Sequence, residues 1–130
     1  MPTIGAVRQV ALSAGRDLDR TLAFWRDVLG VPLHARYDPP GIAFLLAGDV
    51  RLFFSDGVPP GTVYLDMAGL DDFYTAARAA GIPFTAPPAL VHLDSEGLFG
   101  QAGEAEWMAF LKDPGGNTVG LVERKPAEPA

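Results

Sequence analysis

Residues 111–124 read "LKDPGGNTVGLVER". The middle, Asp113-Pro114-Gly115-Gly116-Asn117, is made of residues that start turns, tolerate left-handed backbone or hydrogen-bond their own neighbours. The apolar residues after it predict a strand fed by that turn. Gly120 stands inside that strand. Glycine weakens a strand unless something must come close to the backbone there, so Gly120 needs a reason.

Reading outward, "EWMAFLK" (106–112) predicts the strand before the turn, and "SEGLFGQAGEA" (95–105) a Gly-rich loop, either a surface loop or a mobile lid. "IPF" and "LVHLD" are strand pieces around Pro87-Pro88. "LDDFYTAARAA" (70–80) has acidic residues in its first turn and Gly81 at its end, the pattern of a helix. "TVYLDMA" (62–68) is a strand, and "DGVPPG" (56–61) is the one internal linker.

The first half has the same order. "AVRQVALS" (6–13) predicts a strand, and Asp17 stands as an N-cap. Leu18, Leu22, Trp25 and Leu29 fall on one helical stripe with Phe24 and Val28 beside it. Gly30 is placed as the C′ residue, and Pro32 prevents continuation, so the helix spans 18–29. "PLHARYD" (32–38), "GIAFLLA" (41–47) and "DVRLFFS" (49–55) predict an antiparallel meander. "LGVPL" (29–33) and "AGIPF" (80–84) close the two helices alike. The chain therefore reads as an α+β fold of two tandem βαβββ modules, which together curl into a half-open barrel-like sheet around a cavity. Module one covers about 6–56 and module two about 61–124 of a single domain, with a frayed tail at 125–130.

Composition narrows the function. The 130 residues include 48% hydrophobic ones, enough for a core, and no cysteine, which excludes disulfides, thiolate metal sites and a cysteine nucleophile. A net charge of −6 argues against nucleic acid as a partner, because phosphate binding needs a basic face. No apolar run reaches the length of a membrane span and the N-terminus has no secretory pattern, so a cytoplasmic protein is expected. No nucleophile elbow, P-loop or dinucleotide fingerprint is present.

Two motifs carry a resemblance. "DLDRTLAFWRDVLGVPL" is similar to the D-L-x-x-S-x-x-F-Y-x-x-V-L-G-x segment, and "FLKDPGGNTVGLVE" to the F-x-D-P-D-G-N-x-x-E-L-x-E ending, of the vicinal oxygen chelate superfamily. That superfamily holds glyoxalase I, methylmalonyl-CoA epimerase, extradiol dioxygenases and bleomycin-resistance proteins. Its enzymes hold a divalent metal with His, Gln or Glu, one from each of four strands. The resemblance puts Gln9 at the first ligand position, with Val10 as a rival in register. Arg51, or Phe53 one alternation later, falls at the second, Thr62 at the third and Gly120 at the fourth, where the enzymes keep a carboxylate. One ligand of four survives. A metal at the usual centre is therefore disfavoured, and the expected cofactor is none. His34 and His92, the only histidines, with Glu96, Glu104 and Glu106 near the second, are the residues from which a relocated site could be rebuilt.

The cavity-lining set is Gln9, Arg51, Phe53, Thr62, Tyr64, Trp107 and Gly120, with no catalytic residue assigned. The expected function is metal-independent binding of a small organic ligand, with cationic or aromatic compounds as candidates. Protective sequestration, as in the acidic, homodimeric bleomycin-resistance proteins, is one form of it. The alternative is a metal-dependent isomerase, lyase or dioxygenase of the glyoxalase type. A third class is a regulatory or structural module whose cavity is filled by its own Phe and Tyr side chains. The resemblance also implies a homodimer.

Overall fold

Strand, helix and three strands occur twice in the computed structural model, which describes residues 2–127. Strands β1 (Gln9–Ser13), β2 (Leu33–Tyr37), β3 (Ile42–Ala47) and β4 (Val50–Ser55) form one sheet in the order β1-β4-β3-β2. β1 runs parallel to β4, and β2, β3 and β4 are the expected antiparallel meander. Strands β5 (Thr62–Asp66), β6 (Ala86–Asp94), β7 (Glu104–Lys112) and β8 (Thr118–Pro126) form a second sheet in the order β5-β8-β7-β6. Helix α1 (Leu18–Ala23) follows β1, and α2 (Leu70–Ala79) follows β5. The α+β class and the tandem modules are thus present. The chain divides into two units: one runs to Thr62 and takes in Asp113–Asn117, and the other holds Val63–Lys112 and the chain from Thr118.

In the first unit, Asp17 caps α1 as expected, its carboxylate accepting from the Arg20 N–H at 3.1 Å. The helix does not stay regular to residue 29. A π-helical segment, Phe24–Val28, continues it, with the Leu29 N–H reaching back to the Phe24 carbonyl. Gly30, at φ +72°, ends it in the left-handed conformation that favours glycine. Leu22 and Trp25 bury the helical stripe against Leu12, Ala43, Leu45, Leu52 and Phe54, and Trp25 meets Phe54 edge-on at 5.3 Å. Side chains this buried contribute about 1.5–3 kcal/mol each.

The Asp113–Asn117 turn is a polar plug in this core. The Asn117 amide uses its full hydrogen-bonding capacity. Its Oδ1 accepts from the Ser13 and Gly61 N–H groups, both at 3.0 Å, while Nδ2 donates to the Ser13 carbonyl and to Asp113, both at 2.8 Å. Asp113 also accepts from the Trp25 indole N–H at 2.8 Å. A Cβ on Gly115 would lie 2.3 Å from the Ser13 carbonyl oxygen, so only glycine lets the turn close on β1.

In the second unit, Leu70, Ala77, Ala109, Leu111, Val119 and Leu121 make the core under α2. No side chain of the preceding loop caps that helix. Glu123 of β8 does so, accepting from the N–H groups of Gly69 at 2.7 Å and Leu70 at 3.2 Å. The prolines do not split the strand that contains them: β6 is continuous through Pro87-Pro88, and the "IPF" segment lies before it. β6 is the edge of its sheet, where a missing N–H is tolerated, and its register shifts between Ala86 and Ala89. Both flanking strands are longer than expected. β7 already includes Glu104 and Ala105, which pair with Pro126 and Lys125 of β8, so two residues of the expected frayed tail are in a strand. Residues 128–130 of that tail lie outside the described ones. No helix among the described residues is long and apolar enough to cross a membrane.

Candidate functional site

Strand alternation sorts the first sheet into two faces. Leu12, Ala43, Leu45, Leu52 and Phe54 point to the helix. Gln9 and Ala11 pair with Arg51 and Phe53 across the parallel β1–β4 ladder, and Phe53 pairs with Phe44 across β3–β4. Gln9, Arg51 and Phe53 therefore share the face turned away from the helix, and the rival Val10 points the other way. Phe44 and Phe53 pack with ring centres 5.2 Å apart, and Tyr37 meets Phe44 edge-on at 6.2 Å.

A groove of about 450 Å³ opens on this face, lined by His34, Ala35, Tyr37, Ile42, Phe44 and Arg51. The Arg51 guanidinium carbon lies 5.9 Å from the centre of the Phe44 ring, a cation–π distance. Its Nε is shielded from solvent and has no hydrogen-bond partner. Among the described residues no carboxylate pairs with Arg51, whereas Arg36 and Arg124 both have acidic partners. Phe44 is one of the strand aromatics of which about half are expected to face the cavity; Tyr37 and Ile42 were not singled out from the sequence. The signal was there: Ala47 pairs with Val50 around a two-residue Gly48-Asp49 loop, which sets Phe44 opposite Phe53 and Leu46 opposite Arg51.

In the second sheet the geometry explains Gly120. Phe110 is its cross-strand partner, and a Cβ built on Gly120 would stand 2.6 Å from Tyr64 Cδ2 and 2.9 Å from Phe110 Cε1. Tyr64 and Phe110 meet edge-on at 5.8 Å over the bare backbone. Thr62 is exposed, opens β5 and shares the alternation of Tyr64. Trp107 does not join them. The β7–β8 ladder has no bulge, so Trp107 lies with Ala109 and Leu111 on the face that α2 covers, opposite Glu123 and under the Lys125 ammonium at 5.1 Å. Trp107 and Phe110 are three positions apart, and that odd spacing puts them on opposite faces.

The Gly-rich loop after β6 is organised by two charged side chains. Asp94, only 2% exposed, accepts from the N–H groups of Leu98 at 2.8 Å and Phe99 at 3.0 Å. It also takes the Arg124 guanidinium at 2.9 Å, while Arg124 holds Glu104 at 3.1 Å and Glu106 as well. The Phe99 and Leu98 amides and Arg124 hold the Asp94 carboxyl down at about 2, against the desolvation that would raise it. The three carboxylates push the Arg124 pKa upward. The loop that sequence reading left open as a lid is thus tied down at Asp94 and Gln101–Glu104, with Leu98 and Phe99 exposed.

The four chelating positions implied by the resemblance do not fit a divalent cation. Gln9 offers one neutral oxygen, Arg51 a fixed positive charge beside it, Thr62 a hydroxyl, and Gly120 no side chain at all. Among the described residues no group of three or more His, Cys, Asp or Glu side chains could hold a metal elsewhere. His34 lines the groove of the first unit, and His92 lies edge-on to Phe99 at 5.9 Å.

A lactoylglutathione lyase of Haemophilus influenzae is 30% identical over 126 residues, which is 84% of this chain and 86% of that protein. The crystal structure of a lactoylglutathione lyase from Agrobacterium tumefaciens has the same fold, with a TM-score of 0.72 at 22% identity over 94% of this chain and 96% of that one. So does a glyoxalase/bleomycin resistance protein/dioxygenase superfamily member from Sphaerobacter thermophilus, with a TM-score of 0.68 at 22% identity over 92% and 98%. The sequence pattern of the family described as Glyoxalase/Bleomycin resistance protein/Dioxygenase superfamily matches residues 8–121, and the chain belongs to that superfamily.

Proposed function

We propose that this protein binds a small organic ligand without a metal, on the face of the first sheet that carries Gln9, Arg51 and Phe53. One observation carries the reading. Arg51 stands directly opposite Gln9 in the β1–β4 ladder, so a fixed cation adjoins the one side chain that could still ligate a metal. The Tyr64–Phe110 pair over Gly120 supports the same reading from the second unit. Of the two candidate ligand classes, the aromatic one fits the Phe44, Phe53 and Tyr37 rings. The cationic one rested on net charge and on the resemblance to bleomycin-resistance proteins, and Arg51 opposes it. Sequestration of such a ligand in the cytoplasm, by a homodimer, is the proposed setting.

A second reading has its own support: 30% identity to a lactoylglutathione lyase along most of both chains favours a metal-dependent lyase. The two separate on metal content and melting curves of untagged protein, in EDTA and with Ni, Co, Mn, Zn or Fe(II). No stoichiometric metal and an unchanged Tm are expected. Stoichiometric metal with a specific rise in Tm and lactoylglutathione lyase activity would instead establish the second reading. Sedimentation would test the dimer.

A further inference from the structure

We infer that the groove in the first unit takes an aromatic carboxylate, with Arg51 as the residue that recognises its charge. This rests on the proposed function and names the class of ligand for that face. Three observations converge on it. Arg51 has no acidic partner among the described residues; Arg8, Arg16, Arg20 and Arg78 have none either, but Arg51 alone of these lines this groove. Its Nε is shielded from solvent without a partner, so the donors within reach of a ligand oxygen are the two terminal nitrogens, which make no hydrogen bond to a described residue. The groove beside the guanidinium is otherwise lined by Tyr37, Phe44, Ile42 and Ala35, together with the imidazole of His34, a side-chain type that ordinarily titrates near neutral pH.

A guanidinium presents a planar fork of donors that matches a carboxylate two bonds at a time. Phe44 already lies against the guanidinium, which holds that fork in place. A ligand whose carboxylate meets Arg51 would lay its ring along Phe44 and Tyr37. The groove volume, about 450 Å³, is within the range of small-molecule sites. The charge logic excludes the opposite class: an aromatic amine in this groove would bring a second cation to Arg51.

The test uses three probes of one shape: 2-naphthoate, 2-naphthamide and 2-naphthylmethylamine. Binding is followed by backbone amide shifts on the full-length protein, together with the variants Arg51→Gln and Arg51→Lys. Naphthoate should shift the amides of β2, β3 and β4, and should bind at least about tenfold more tightly than the amide, with the amine weaker still. Arg51→Gln should abolish the preference of acid over amide, and Arg51→Lys should retain only part of it. If Arg51→Gln does not fold, the acid-to-amide ratio in the wild type and in Arg51→Lys still decides. Equal binding of acid and amide in the groove would overturn the carboxylate assignment and leave the binding function standing. No shift in β2–β4 with any of the three probes would overturn both.

Discussion

Replacing Gly120 with glutamate would restore the side chain that the resemblance implies at that position, but not the room for it. Its Cβ would meet Tyr64 at 2.6 Å and Phe110 at 2.9 Å. Gly120→Glu should therefore cost about 1–3 kcal/mol of stability in urea unfolding without creating metal affinity. Adding Tyr64→Ala should recover part of that loss by opening the space. Asn117→Ala acts at the same scale and more severely. It leaves the Ser13 N–H and carbonyl, the Gly61 N–H and Asp113 short of partners, an expected loss of about 2–4 kcal/mol. These residues were unequally legible in the sequence. Gln9 and Arg51 were placed by the resemblance, and Phe53 by counting one alternation on from Arg51. Trp107 was misjudged because alternation defines two faces without saying which one a helix covers. The Tyr64–Phe110 pair over Gly120 was out of reach, since it joins residues from three strands whose pairing no local pattern reveals.

At the scale of elements, Asp94 is the joint between β6 and the loop that follows it. A carboxyl whose pKa falls from 3.8 when free to about 2 when folded stabilises the fold fully above the higher value, and that stabilisation fades as pH falls through the lower one. Asp94→Asn should thus lower stability at neutral pH and flatten the loss between pH 4 and 2. In the same variant the Leu98 and Phe99 amides should exchange faster with solvent. Urea midpoints against pH and amide exchange check the two halves of this prediction. The sequence offered the Gly-rich loop but not its anchor. Arg124 is twenty-three residues beyond Gln101, and only the β7–β8 register brings it to Glu106, Glu104 and Asp94. The two helix signals, Asp17 before α1 and Gly81 after α2, were readable because caps are local chemistry. The π-helical segment at Phe24–Val28 was not, because its stripe of apolar residues looks the same as that of a regular helix. Pro87-Pro88 misled for a related reason: proline argues against a strand only where a neighbour needs its N–H, and at the β6 edge none does.

For the whole molecule, the repeat was the most legible feature, because each module states strand, helix and three strands in its own periodicity. What the repeat concealed is that its first half is not a self-sufficient stretch of chain. The unit that contains α1 is completed by Asp113–Asn117, which supply partners to Trp25, Ser13 and Gly61. A fragment of residues 1–62 should therefore show collapsed amide dispersion and little cooperative unfolding, whereas the full chain should unfold cooperatively. A well-dispersed spectrum from the fragment would show that the plug is dispensable. The same arrangement sets a schedule for synthesis. The amino-terminal half leaves the ribosome first, yet it waits with an open core until Asn117 follows. An early stall or a premature stop would leave Trp25 within reach of chaperones and proteases, so that the half made first still waits on residues made near the end.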